Sequence, residues 1–99
     1  MGVTAAIALN DLVAVGAIAG AESMGRRVPA DLSIVGFDNA AFAPYTSPPL
    51  TTVNIPTVRQ GEIAAKMLFE MMEQPNAAPY SVEVRTELIV RKSVGRRGA

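Results

Sequence analysis

The sequence contains no histidine and no cysteine. These absences exclude thiol nucleophiles, zinc sites built on Cys or His, haem and iron–sulfur ligation, and any triad that needs an imidazole. No disulfide framework can form, so nothing in the composition points to secretion. Charge of one sign is not in surplus, because nine Lys and Arg balance nine Asp and Glu. That balance argues against a chain whose bulk binds nucleic acid or an acidic membrane surface. Long apolar runs are also missing. The longest, Leu12 to Ala21, lies between Asp11 and Glu22, whereas a spanning helix needs about 20 such residues. No positive region precedes the first apolar stretch, so no signal peptide is expected, and the expected location is cytoplasmic. No Gly-x-Gly-x-x-Gly follows that stretch either, which removes the signature of a dinucleotide site. There is no internal repeat.

What is present is a chain of 99 residues, 49% apolar. That is one small domain, residues 1–99, with an ordinary supply of core residues. Thr4 to Leu9 is continuously apolar, as strands covered on both faces are. Asn10 and Asp11 follow at once, and both residue types cap helices well. The helix predicted from about Leu12 to Met24 is apolar nearly all round, the pattern of a helix buried on more than one side. Gly16 and Gly20 fit close approach of another backbone, and Gly25 is a natural stop. Arg26 and Arg27 lie beside the negative end of the helix dipole. Leu32 to Phe37 is a second buried strand ending on Asp38-Asn39. Strand, turn, helix and strand within about 35 residues make a βαβ unit with parallel strands and a right-handed crossover.

Residues 40–49 carry Pro44, Pro48 and Pro49 and read as a loop bearing Phe42 and Tyr45. Leu50 to Ile55 is a short strand, broken by Pro56. Thr57 to Gln60 fits a capping box opening a second helix. Ile63, Ala64, Met67, Leu68 and Met71 form its apolar stripe, while Glu62, Lys66 and Glu70 form a charge-paired face. Pro75, Asn76 and Pro79 mark another loop. Val82 to Val90 alternates, as a half-exposed edge strand does. Arg91, Lys92, Arg96 and Arg97 read as a solvated basic tail. The expected fold is open α/β, with about four strands and two long helices. Two helices cannot cover both faces of so apolar a sheet. Either the chain oligomerises through the bare surface or it is part of a larger body.

Several stretches together resemble one family. They are Ala8-Leu9-Asn10-Asp11 with Val15-Gly16-Ala17, the run from Met24 to Asn39, Pro48-Pro49-Leu50-Thr51-Thr52-Val53, and Leu88 to Ser93. They resemble the C-terminal part of the effector-binding core in the LacI/GalR family of bacterial transcription regulators, over nearly the whole chain. The resemblance implies a partial periplasmic-binding-protein-like, Rossmann-like sheet. It implies a DNA-binding helix-turn-helix, a hinge helix and an N-terminal lobe outside this chain, with DNA contacted only through that separate domain. It further implies that the chain crosses between lobes near Val53 to Thr57, that the helix from Val58 to Met72 packs on the N-terminal lobe, and that the last strand returns.

Open α/β sheets bind ligands beyond the carboxyl ends of their strands, where Asn10 and Asp38 stand. Asn offers donor and acceptor, and an ionised Asp offers acceptors. Together they suit sugar hydroxyls or the polar edge of a nucleobase. The resemblance carries effector contact onto Asn10, Asp11 and Asp38. The residues alone equally allow Asn10 or Asp11 to be a helix cap and Asp38 a turn residue. The resemblance also assigns dimer contact to Val15, Ile18, Ala19, Phe42, Tyr45, Thr46 and Ser47, with core packing the alternative for Ile18. The implied partners are a small-molecule effector and a second copy of the chain, with no membrane. No catalytic residue, metal or cofactor is expected. Ser23, Ser33 and Ser47 have no base to activate them, and Asp11 with Asp38 makes an unsupported glycosidase pair. The alternatives are a periplasmic sugar-binding protein of a transport system and a stand-alone dimerisation module.

Overall fold

The computed structural model describes residues 2–97 and divides them into two units, residues 2–55 with 87–97, and residues 56–86. The first unit is built on the expected βαβ unit. Strand β1 (Ala5–Ile7) pairs in parallel with β2 (Ser33–Val35), in the register Ala5 to Ser33 and Ile7 to Val35. Helix α1 (Asp11–Ser23) connects them. It ends as its sequence dictates. Gly25 takes φ +74, and the amides of Gly25 and Arg26 donate to the carbonyls of Glu22 and Ala21, which closes a Schellman turn. Strand β3 (Thr52–Asn54) lies beside the β2 line through parallel bridges, Val35 to Thr51 and Asp38 to Asn54. Strand β4 (Glu87–Ile89) closes the sheet antiparallel to β3. Four strands and two long helices are therefore observed, although each strand has only three paired residues.

The core of this unit is Ala14 and Ile18 from α1, Ile34 from β2, and Ala43 and Leu50 from the intervening loop. Two expectations about burial are corrected. The first strand is not covered on both faces, since Ala5, Ala6 and Ile7 are all exposed. Nor is α1 buried on more than one side: Asp11, Ala14 and Ile18 are buried, while Leu12 and Val13 stand in solvent. The apolar sequence is real, but the chain itself offers nothing to cover it. The loop contains one helical piece, a short 3-10 turn at Ala43–Tyr45.

The second unit is α2 (Thr57–Glu73) and the segment after it. The capping box does not form. Pro56 is the cap residue, and the Gln60 amide donates to the Pro56 carbonyl at 2.9 Å. This puts Thr57 inside the first turn, where its hydroxyl caps nothing. No residue of α2 is fully buried: Ile63 and Met67 of the stripe are half-buried, beside Tyr80 and Val82, while Leu68 and Met71 are exposed. The expected Glu62–Lys66–Glu70 pairing is also replaced. Among the described residues the one ion pair is Arg59 with Glu62 at 3.9 Å, and Glu70 accepts from the Tyr80 hydroxyl at 2.5 Å. That hydrogen bond, helped by desolvation and the carboxylate charge, holds the Tyr80 phenol above its ordinary range. The alternation from Val82 yields a paired strand only over Glu87–Ile89, because β3 offers just three partners. No helix among the described residues is long and apolar enough to cross a membrane.

Candidate functional site

The carboxyl ends of β1, β2 and β3 form one edge of the first unit, where open α/β sheets present ligand groups. Asn10 follows β1. Its Oδ1 accepts from the Val13 amide at 2.8 Å, so it is the cap of α1. Its side-chain NH2 remains a free donor type at this edge. Asp11 has a different place. It is 1% exposed, its Oδ1 accepts from the Thr52 hydroxyl at 2.6 Å, and its Oδ2 accepts from the Ala40 amide at 2.6 Å. Expected effector contact by Asp11 gives way to an internal role, because its carboxylate is buried and each oxygen is engaged by a donor inside the fold.

Asp38 is exposed and stands at φ +116, a conformation a non-glycine residue adopts only at a cost. Its neighbours are held on every side. The Asp11 amide donates to the Phe37 carbonyl at 3.1 Å, and the Asp38 amide donates to the Val53 carbonyl at 3.0 Å. Asn39, at φ +55, donates its amide to Thr52 Oγ1 at 3.2 Å and its side-chain NH2 to Asn54 Oδ1 at 3.0 Å. Its Oδ1 accepts from Arg91 Nη2 at 2.9 Å. The turn from Phe37 to Ala40 is thus tied down around a carboxylate that takes none of these bonds. Phe37 itself is partly exposed beside it in sequence.

Sequence reasoning missed three participants. Arg91 is not part of a solvated tail. Its Nη1 also donates to the Leu50 carbonyl at 2.8 Å, and its amide donates to Thr51 Oγ1 at 2.9 Å. Ser93 is fully buried, accepting from the Thr51 amide and donating to the Ile34 carbonyl. Asn54 ends β3. The Arg-Lys-Ser ending and the Asp38-Asn39 pair carried the available signal, but their mutual contact spans 52 residues.

The surface expected to dimerise is partly assembled. Val15, Ile18 and Ala19 of α1 line a hollow of about 190 Å³ with Glu22, Thr46 and Ser47. Phe42 and Tyr45 are exposed on the adjoining 3-10 turn, Tyr45 at 85%. Ile18, at 4% exposure, packs in the core and forms the floor of this hollow, in keeping with the core-packing alternative for it.

The sequence matches the family model of the periplasmic binding protein-like domain over residues 2–94. It is 43% identical over 91 residues to the HTH-type transcriptional repressor PurR of Photobacterium profundum, covering 92% of this chain and 27% of that protein. The chain thus spans about a quarter of the length of the curated relatives it matches. Among solved structures it superposes on a transcriptional regulator CelR–cellobiose complex with TM-score 0.86 and 35% identity, covering 93% of this chain and 28% of that one. On the lac repressor dimer bound to operator and the anti-inducer ONPF the TM-score is 0.82 with 31% identity, covering 92% and 32%.

Proposed function

We propose a role for this chain, which belongs to the periplasmic binding protein-like domain family found in LacI-type regulators: it is part of the ligand-sensing and dimerising body of a cytoplasmic transcription repressor. The observation that carries the proposal is Asp38, an uncommitted carboxylate on a braced turn at the carboxyl edge of the sheet. Asp38 accepts from an effector and the Asn10 amide donates to it, which suits the hydroxyls of a sugar or the polar edge of a nucleobase. Asp11 positions the turn rather than touching the ligand. Effector binding shifts one lobe against the other and so changes operator affinity through a separate DNA-binding domain. The sugar in the CelR complex and the repressor names of the relatives support this choice.

The test is a hybrid repressor in which residues 2–94 replace the matching segment of the Photobacterium PurR relative. Calorimetry against a panel of sugars and nucleobases identifies its effector. Asp38→Ala should then weaken that effector about tenfold to a hundredfold, the worth of one hydrogen bond to a charged group, while operator binding without effector persists. A folded hybrid whose effector affinity ignores Asp38→Ala would remove Asp38 from the site.

The exposed α1 and loop surface is assigned to a second copy of the chain. Ala19→Glu sets a second carboxylate beside Glu22 in the hollow that Thr46 and Ser47 also line, an unpaired charge. It should weaken self-association of the hybrid by tenfold or more. Sedimentation velocity reads the change, and an unaltered dimer across micromolar concentrations would place the interface elsewhere.

A further inference from the structure

We propose that Arg91, acting through Asn39, is the positioning residue that holds the Asp38 carboxylate in place to meet an effector. The proposal rests on Asp38 being an effector contact, and it adds Arg91 as a residue that acts on that contact from behind the turn. Asp38 at φ +116 and Asn39 at φ +55 are two consecutive non-glycine residues with positive φ. Left alone, such a turn relaxes, because each sparsely populated conformation persists only where the surroundings over-determine it. Three amide bonds hold the main chain of the turn, from Asp38 to the Val53 carbonyl, from Asn39 to the Thr52 hydroxyl and from Ala40 to the Asp11 carboxylate.

Those bonds leave the Asn39 side chain to be held separately. The Arg91 guanidinium does so with a fork, one arm on Asn39 Oδ1 at 2.9 Å and the other on the Leu50 carbonyl at 2.8 Å. Asn39 then passes the constraint to Asn54 Oδ1 at 3.0 Å. A planar guanidinium fixes two acceptors at once, which a lysine ammonium does not reproduce. Arg91 is only partly buried and makes no ion pair among the described residues, so its charge is spent on these neutral acceptors. The carboxylate next to Asn39 is thereby held without being touched. A site built this way meets its ligand with less ordering still to be done.

The test reads Asp38 itself, in the full chain and without ligand. The backbone HN–Hα coupling at Asp38 is small at its positive φ and larger in an averaged coil. In Arg91→Lys and in Asn39→Gly it should rise toward the coil value, while couplings in β1 and β2 stay as in the parent chain. Glycine is chosen at position 39 because it accepts the left-handed φ, and it removes both side-chain ties, to Arg91 and to Asn54. If both variants fold with the parental coupling at Asp38, Arg91 is a structural brace and not a positioning residue. If Arg91→Lys fails to fold because the Leu50 arm is lost, Asn39→Gly, which leaves that arm in place, is read against Asn54→Ala, which removes only the other tie of Asn39. A rise in the first alone assigns the hold to Arg91, and an equal rise in both assigns it to Asn54. Should Asp38→Ala prove silent in the hybrid repressor, Asp38 is no effector contact. The coupling, measured with no effector present, still shows whether Arg91 holds the turn.

Discussion

Asp11→Ala should leave the chain without a cooperative folding transition. The substitution removes two hydrogen bonds to a carboxylate and strands two donors, the Thr52 hydroxyl and the Ala40 amide, in an interior where Thr52 is fully buried. Each buried unsatisfied donor costs about 1–3 kcal/mol, and the lost charge-assisted bonds bring the total to about 3–5 kcal/mol. A small domain holds only about 5–15 kcal/mol in all. This one sits low in that range, because the buried core of the described residues is five apolar side chains and much of α1 and most of α2 are exposed. The loss therefore approaches the whole stability. Graded variants separate this network from a general packing effect. Asp11→Asn keeps one acceptor but turns an NH2 toward the second donor, so it should cost less than alanine. Thr52→Val removes one donor to the carboxylate together with the acceptor of the Asn39 amide, and should cost about 1–3 kcal/mol. Urea denaturation followed by circular dichroism gives the order. An Asp11→Ala chain with the parental midpoint would show that the carboxylate contributes nothing.

Much of the first unit was legible in the sequence because its signals are local. A continuous apolar run, an Asn-Asp pair and a glycine stop lie within one stretch of chain, and they give β1, the Asn10 cap and the Gly25 turn. Asp38 was legible for the same reason, as a polar residue directly after a buried strand. The division of labour between Asn10 and Asp11 was not. Both residue types cap helices, and what decides between them is a hydroxyl 41 residues away and an amide 29 residues away. Arg91 escaped for a similar reason: a basic residue near other basic residues reads as solvated until its acceptors on Leu50 and Asn39 are seen. At α2 the pattern pointed to a cap one residue too late. The helix takes its first bond from Gln60 back to Pro56, and a proline carbonyl accepts as well as any other. The unmet apolar surface was legible only as a sum that does not close, and the exposed β1 and α2 are where the deficit falls.

Gly36→Ala should be nearly as damaging as loss of Asp11, and the two effects should not add. Gly36 is buried, between β2 and the Asp38 turn, and it is not among the residues with positive φ. Its requirement for glycine is one of space. A Cβ there would overlap Asp11 Oδ1 and lie 2.9 Å from Leu50 Cδ2 and 3.2 Å from Asp11 Cγ. The carboxylate cannot swing aside, because Thr52 and Ala40 hold both its oxygens. Leu50 is fully buried, and its neighbours leave it no room to retreat. Overpacking of this kind costs about 1–3 kcal/mol, and more where the obstacle is pinned. In an Asp11→Ala background most of the overlap disappears and only the Leu50 contact remains. Gly36→Ala should therefore cost at least 1 kcal/mol less there than in the parent chain, a coupling of the size expected for residues in contact. The cycle is best measured in the hybrid repressor, where the covered apolar faces leave stability to spare for a double variant. Additive costs would mean that Gly36 answers to Leu50 alone and that the Asp11 carboxylate is free to move.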